Sequence, residues 1–330
     1  MRVLIIKLKK MIIPSCICIF TVFLILFSSN NLLAAKNGLL LWSSSVVPSL
    51  LPFFIATELL GYTNIVSILG RFLNKFMRPI FNVPGEGAFA LIMGVISGYP
   101  VGAKIVSNFK KQGICTEEEC ERLLSFTNNS GPLFIIGTVG VSLFSSSNIG
   151  FKLFFVHLIS CLLVGFLFRW WKYNSSSKFS LRRSNTISSN YLTLNNLGSI
   201  LSTSIQSAIR TIVIIGGFVV LFSVIVSMLN SSHVLNIFCS FLEILNIPTT
   251  YSEGIITGLI EVTNGVKLSA INTNPFSIIT CSFLLGFGGL SVLLQVLSIT
   301  SEAKISIKPY IFGKLLQAIF SSIIMYFWLI

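Results

Sequence analysis

The sequence is poor in charged residues, and glutamate is its only acidic side chain. The 330 residues include no aspartate and ten glutamates, and charged residues make up 10% of the chain, whereas soluble domains usually reach about 25%. It also lacks GxSxG, HExxH, a pair of aspartates, and a glycine-rich phosphate loop followed by Lys-Ser/Thr. The sequence therefore predicts no enzyme, no catalytic residue and no cofactor.

Residues that commonly bind metals are equally sparse. The two histidines, His157 and His233, are far apart in the chain. None of the seven cysteines, at positions 16, 18, 115, 120, 161, 239 and 281, belongs to a CxxC pair. Cysteines within apolar runs usually serve as small hydrophobic side chains of a helix bundle. We therefore predict no metal site.

Long apolar runs dominate what remains. Hydrophobic residues make up 53% of the chain, and many stretches approach the length of about 20 residues that crosses a bilayer. Membrane strands would alternate apolar with polar positions, and these runs do not. The predicted fold is all-α: a polytopic membrane helix bundle without a separate soluble domain.

Basic residues outnumber acidic ones by 23 to 10, for a formal charge of +13. In a soluble protein such an excess would suggest nucleic acid. Here most basic residues lie in short segments beside apolar runs, where they indicate the cytoplasmic side and contact with anionic lipid. The predicted partner is membrane lipid, with no nucleic acid.

Residues 1–35 are predicted to form an N-terminal signal-anchor helix. Four basic residues precede the apolar run 11–27, which places the N-terminus in the cytoplasm. Ala34-Ala35 resembles a signal-peptide cleavage site, but the polar segment 28–31 before it is unusually long. We favour an uncleaved helix, with cleavage as the alternative.

Residues 36–172 are predicted to form a first unit that combines spans with interrupted segments. In chain order these are a crossing at 39–61, an interfacial helix at 65–81, a re-entrant segment at 86–104, a capped helix at 116–126, a broken span beginning at 128–132 and a crossing at 150–171. Basic residues on both sides of segment 86–104 favour a cytoplasmic location for both of its ends, which makes it a re-entrant hairpin.

Residues 173–204 are rich in serine and asparagine and are predicted to be a cytoplasmic linker. Residues 205–330 then form a second unit, which ends in the last helix. Its segments are a crossing at 208–229, an interfacial helix at 233–247, an interrupted segment at 253–270, a crossing at 275–299 and a final crossing at 310–330.

The two units resemble each other in sequence. Residues 94–102 align with 258–265, and residues 134–142 align with 283–291, with glycines at matching positions. Chance similarity between apolar runs is the alternative explanation. The predicted topology starts one unit outside and the other inside, so a true repeat would be inverted. Inverted repeats with broken helices are typical of alternating-access transporters.

Charged side chains at membrane depth are costly and usually functional. Glu261 lies beside an interruption of an apolar segment and is predicted to bind a coupling proton or cation. Its alternative is a structural pairing with Lys267 or Arg210. Lys104 and Lys267 occupy matching places in the two units and are predicted to bind an anionic substrate. Their alternative is snorkelling to the interface.

Polar residues at the predicted helix breaks complete the candidate substrate site. A break exposes backbone groups, and the N-termini of half-helices favour carboxylate or phosphate groups. Amide and hydroxyl side chains add donors and acceptors that suit a carboxylate. A purely structural kink is the alternative at each break. The candidates are Ser97, Tyr99, Asn128, Asn129, Ser130 and Asn264.

Four strings carry a resemblance to a known family: PSLLPFF at 48–54, MRPIF at 77–81, SGYPVGAK at 97–104 and ERLLSFTNNSGPLF at 121–134. Over residues 36–325 the chain resembles the YlbJ family of sporulation integral membrane proteins. That family belongs to the nucleoside-recognition, or Gate, proteins, which are similar to the core of concentrative nucleoside transporters. The resemblance implies interfacial helices, re-entrant hairpins and inverted repeats.

The resemblance also implies a role in endospore formation, namely export of dipicolinic acid from the mother cell across the outer forespore membrane, with effects on the spore cortex. A planar dianion suits two lysines, asparagines and helix N-termini; a nucleoside or another small anion is an alternative substrate. Two other classes stay open: a non-transporting scaffold for cortex assembly, and a flippase or enzyme acting on a lipid-linked precursor. Homo-oligomer formation is also left open.

Overall fold

The computed structural model describes residues 2–173, 193, 195–244 and 247–330, with side chains from residue 11 onward except residue 250. Every regular element in these ranges is helical, which confirms the predicted all-α class. Most of the predicted linker, residues 173–204, lies outside the described residues. Five helices in the described ranges are long and apolar enough to cross a membrane: Ser28–Gly61, Ser147–Phe168, Leu197–Ser231, Pro275–Glu302 and Lys308–Leu329.

The chain begins with α1 (Arg2–Leu26), α2 (Ser28–Leu41), a π-helical turn at Trp42–Val46 and α3 (Val47–Gly61). The polar segment 28–31 forms the first turn of α2, and Phe27 separates α2 from α1. The Asn31 side chain donates hydrogen bonds of 3.0 and 3.4 Å to two carbonyls of α1 and so links the two helices. The predicted boundary at residues 35/36 falls inside α2.

The first unit continues with α4 (Ile65–Phe81), α5 (Gly87–Ser97), α6 (Val101–Lys111), α7 (Glu117–Thr127), a π-helical segment at Leu133–Leu143 and α8 (Ser147–Phe168). The predicted helix at 65–81 and the break at 97–100 are confirmed. The predicted capping box is also confirmed: the Glu119 N–H donates to Thr116 Oγ1 at 3.2 Å, and the Thr116 N–H donates to Glu119 Oε2 at 2.9 Å.

The second unit contains α9 (Leu197–Ser231), α10 (Val234–Ile244), α11 (Thr249–Ile260), α12 (Val262–Ser269), α13 (Pro275–Phe287), α14 (Gly289–Glu302) and α15 (Lys308–Leu329). The predicted boundary at residues 204/205 falls inside α9. The predicted crossing at 275–299 corresponds to the candidate span Pro275–Glu302, and this span consists of two helices, α13 and α14. The helix breaks at Gly288 and Gly289, whose φ angles are +83° and +80°. Glycine adopts such angles at little cost because it has no Cβ.

Charged side chains gather at one end of the bundle. The ion pairs there are Arg78–Glu119, Lys172–Glu121, Lys110–Glu117 and Lys111–Glu302, with N–O distances of 2.8, 2.9, 3.5 and 3.0 Å. They join the ends of α4, α6, α7, α8 and α14. Basic residues flank membrane spans on the cytoplasmic side, so we expect this end to face the cytoplasm.

Candidate functional site

Four interruptions of the helices meet inside the bundle. Gly98, between α5 and α6, packs against Gly131, in the extended segment after α7. A Cβ on Gly98 would lie 3.0 Å from the Gly131 nitrogen. Gly288, between α13 and α14, faces Tyr99, and a Cβ there would lie 2.9 Å from the tyrosine hydroxyl. Three breaks that are distant in sequence are therefore in contact.

The fourth break lies between α11 and α12 and packs against the third. A Cβ on Gly289 would lie 3.1 Å from the Val262 nitrogen. Helix ends carry backbone N–H and C=O groups without partners in their own helix. The meeting of four breaks thus concentrates polar backbone groups inside an otherwise apolar bundle, where a polar solute could be bound.

Asn128 connects the second break to two other helices. Its backbone is extended, with φ −97° and ψ 98°, so α7 ends there. The side-chain Nδ2 donates to the hydroxyl of Tyr310 on α15 at 3.2 Å, and Oδ1 accepts from the N–H of Ala103 on α6 at 3.4 Å. Asn128 is fully buried. Its amide therefore holds the break in place and uses both of its polar atoms inside the protein.

Asn129 and Ser130 bind side chains of α8 and α15. Gln317 Nε2 donates to Asn129 Oδ1 at 3.0 Å. The Ser130 N–H donates to His157 Nε2 at 3.3 Å, which assigns the proton of the neutral imidazole to Nδ1. Lys314 extends this network by donating from Nζ to Gln317 Oε1 at 2.8 Å. All five residues are buried.

Sequence reasoning missed His157, Tyr310, Lys314 and Gln317. The signal was available for two of them, because a lysine and a glutamine interrupt the apolar run predicted at 310–330. Polar residues inside a span are functional candidates even when no helix break is near them in sequence. The candidates from sequence all lie near helix breaks, whereas these four residues lie on the continuous helices α8 and α15.

Ser97 and Tyr99 flank the first break as predicted. The Tyr99 hydroxyl donates to the carbonyl of Leu285 on α13 at 3.2 Å. Ser97 is buried, and within the described structure its Oγ has no hydrogen-bond partner. Such an atom costs free energy unless something binds it. Ser97 therefore has hydrogen-bonding capacity that a solute could use.

Lys104 makes its contacts apart from the network of Asn129, Gln317 and Lys314. Its Nζ lies 2.6 Å from Glu58 Oε1 and donates to Thr211 Oγ1 at 2.8 Å and to Ser207 Oγ at 3.1 Å. These bonds tie α6 to α3 and α9. Lys104 is therefore satisfied by an acidic partner and two hydroxyls, and its predicted role in substrate binding stays a prediction.

Glu261 caps α12. Its two carboxylate oxygens accept hydrogen bonds from the backbone N–H groups of Thr263 and Asn264 at 3.0 and 2.8 Å. The alternative pairings of Glu261 with Lys267 or Arg210 are absent from the described structure. Lys267 is exposed and Arg210 lies 3.6 Å from Glu302. Asn264 contributes its backbone to this cap, and the ion-coupling role of Glu261 stays a prediction.

The capping role of Glu261 predicts how a substitution at this position changes stability. We expect Glu261→Gln to lower the free energy of unfolding in detergent by about 1 kcal/mol, because the amide keeps one acceptor and loses the charge at a helix N-terminus. Glu253→Gln, at an exposed position on α11, should change stability little. If Glu261→Gln leaves stability unchanged but removes the dependence of transport on an ion gradient, the cap explanation fails and coupling is favoured.

A groove between the N-terminal helices and α9 lacks the chemistry of a polar site. The groove between α1, α2 and α9, with a volume of about 540 Å³, is lined by Leu24, Leu39, Val213 and similar apolar residues. No group of three or more histidine, cysteine or glutamate side chains is arranged to hold a metal ion among the described residues. Such an apolar groove at the edge of a membrane bundle suits a lipid chain better than a solute.

Comparison with known proteins identifies relatives of this chain. The Gate family profile, described as nucleoside recognition, matches residues 43–147, which include the first two helix breaks. The sporulation integral membrane protein YlbJ of Bacillus subtilis (strain 168) is 36% identical over 344 aligned positions, covering 98% of this chain and 83% of that protein. No solved structure matches significantly. At this identity and coverage, the chain belongs to the YlbJ family of sporulation integral membrane proteins.

Proposed function

We propose that this protein is a transporter of a small carboxylate anion, and that it exports dipicolinic acid from the mother cell across the outer forespore membrane. Membership of a sporulation membrane protein family supports the cellular setting, and this is not a known enzyme family. The resemblance supplies the substrate and the direction. The molecular argument rests on the interior of the bundle.

The observation that carries the proposal is the meeting of four helix breaks inside a membrane bundle. Irregular backbone is tolerated at membrane depth only where it is buried in protein or lines a polar cavity. Discontinuous helices that meet near the bilayer midplane are where secondary transporters bind their substrates. Ser97 Oγ and His157 Nδ1, both buried beside the breaks and without a partner in the described structure, add free hydrogen-bonding capacity.

Two inverted repeats would explain why the breaks come in pairs. In both units a span, an amphipathic helix, a helical hairpin, an interrupted helix and a span follow in order. Matching glycines lie at both hairpin tips: a Cβ on Gly94 would approach the Cα of Gly102, and a Cβ on Gly265 would overlap Gly258. The breaks that follow α7 and α13 would align residues 128–132 with residue 288. This register differs from the alignment of 134–142 with 283–291.

The orientation of the units also supports inversion. α4 ends at the charged end of the bundle, where Arg78 pairs with Glu119. α10 follows the other end of α9, where Asn30 of α2 donates to the hydroxyl of Ser231 at 2.9 Å. The two amphipathic helices therefore belong to opposite ends of the bundle, as the repeats of an alternating-access transporter require.

The direct test is uptake of radiolabelled dipicolinate by proteoliposomes that contain the purified protein, compared with empty liposomes. We expect saturable uptake that unlabelled dipicolinate inhibits and that a neutral nucleoside such as uridine does not. Inhibition by uridine would instead favour a nucleoside substrate. Correctly folded protein without any uptake would contradict the proposal and favour a scaffold for cortex assembly.

Localisation needs a separate experiment. A fluorescent fusion in sporulating cells is expected to surround the forespore, and protease treatment of protoplasts distinguishes the two forespore membranes by the side on which the tag is exposed. A signal confined to the peripheral cell membrane throughout sporulation would contradict export across the outer forespore membrane.

A further inference from the structure

Lys314 is a basic side chain in the interior of a membrane span. It lies on α15, the candidate span Lys308–Leu329, and only 1% of its surface is exposed. Burying an ammonium group is costly, and buried charges are normally paired with an opposite charge. The position of Lys314 therefore raises the question of which anion balances it.

No carboxylate of the described structure forms an ion pair with Lys314. The chain has no aspartate, and none of the ion pairs found among its described residues includes Lys314. The glutamate on the neighbouring break, Glu261, is taken up by two backbone N–H groups. The protein itself supplies no counter-charge for this ammonium in the described residues.

The groups that do surround Lys314 are neutral. Its Nζ donates to Gln317 Oε1 at 2.8 Å and to the Tyr99 hydroxyl at 3.5 Å. It also lies 5.1 and 5.9 Å from the ring centroids of Tyr99 and Tyr310. Aromatic rings and amide oxygens orient and partly stabilise an ammonium group. None of these groups carries a negative charge.

Two buried polar atoms beside the helix breaks have no hydrogen-bond partner in the described structure. His157, which lies 3.4 Å from Gln317, has no partner for Nδ1 in the described structure. The same is true of Ser97 Oγ, two residues before Tyr99. Buried polar atoms without partners are rare in proteins and require an explanation. A ligand with carboxylate oxygens would satisfy both the charge and these hydrogen-bonding groups.

We infer that Lys314 binds a carboxylate group of the transported anion, and that Tyr99, Gln317 and His157 complete the binding site. This inference rests on the proposed function, since it uses the same meeting point of the helix breaks. It assigns the basic group of the binding site to Lys314. Lys104 already has Glu58 as a partner, and Lys267 is exposed. The carboxylate of the bound anion would be the acidic partner that Lys314 lacks in the described structure.

The test is equilibrium binding of radiolabelled dipicolinate to the purified full-length protein in detergent. Lys314→Met is expected to weaken binding roughly 30-fold or more, the effect of removing one partner from a buried charge pair. The matched control is Lys308→Met, which removes an exposed lysine from the same helix and is expected to change the dissociation constant by less than about twofold. Unchanged binding by Lys314→Met would overturn the inference.

A second measurement covers the case in which Lys314→Met does not fold. Pyridine-2,6-dicarboxamide has the shape of dipicolinate without its charge, and it is expected not to displace dipicolinate from the wild-type protein. Displacement equal to that by unlabelled dipicolinate overturns the inference. Failure of the wild type to bind dipicolinate overturns it as well. Binding that depends on Lys314 without uptake in proteoliposomes would support the site and contradict transport.

Discussion

Replacement of Gly94 by alanine is expected to displace the first helical hairpin and to lower the free energy of unfolding by about 3 kcal/mol. A Cβ at this position would overlap the carbonyl oxygen of Thr127, at the end of α7, and would approach the Cα of Gly102 across the hairpin. Both contacts are backbone, so no side-chain rotation relieves them. Thermal unfolding of the purified variant in detergent measures the loss.

The matched control is Gly217→Ala, the same substitution inside α9. Apart from the backbone of its own helix, no atom of the described structure lies within 4 Å of a Cβ at Gly217. Glycine in a helix interior is less favourable than alanine by roughly 0.5–1 kcal/mol. This variant is therefore expected to be slightly more stable than the wild type. Equal effects of the two substitutions would show that helix propensity, rather than the close approach of the hairpin, controls stability at Gly94.

A similarly large loss is expected from Glu121→Ala, which removes a buried carboxylate that joins α7 to the end of α8. Glu121 accepts hydrogen bonds from Trp171 Nε1 at 2.7 Å and from Lys172 Nζ at 2.9 Å, and its side chain is completely buried. The bond to Glu121 raises the pKa of Lys172. The substitution removes two hydrogen bonds to a charged acceptor, each of which contributes about 1.5–3 kcal/mol, so we expect a loss of about 3 kcal/mol.

Glu117→Ala is the control for this prediction, because Glu117 lies on the same helix, pairs with Lys110 at 3.5 Å and has a side chain that is 46% exposed. Exposed ion pairs contribute between about 0 and 1 kcal/mol, so this variant should unfold near the wild-type temperature. The two melting temperatures are measured in the same detergent. A loss at Glu117 as large as that at Glu121 would contradict the role assigned to burial.

The lysines illustrate how far reasoning from sequence could go. The predicted repeat pointed to Lys104 and Lys267 because they occupy matching places after two helix breaks. The structure brings Lys104 to Glu58 and leaves Lys267 exposed. Lys314 had no such mark in the sequence beyond its presence in an apolar run. Which lysine lacks an acidic partner depends on contacts between distant helices, and no local pattern records those contacts.

Some of the helix breaks could be predicted from the sequence, and one could not. The interruptions near Pro100 and Asn128 were predictable, since glycine, proline and consecutive polar residues do not continue an apolar helix. The break at Gly288 was missed because two glycines in an apolar run are also compatible with a continuous span. Tyr99 packs against Gly288, where a Cβ would lie 2.9 Å from the tyrosine hydroxyl, and this is a tertiary contact.

The sequence by itself determined the membrane class, the helical architecture, the charged end of the bundle and the capped start of α7. These depend on hydropathy, charge and residue preferences within about 20 neighbouring positions. Only the tertiary structure decided that His157 lies 3.4 Å from Gln317 across 160 positions of sequence and that four breaks share one place. The physical reason is that a polar group in a membrane protein must find its partner within the protein, and the chain's packing determines which partner is within reach.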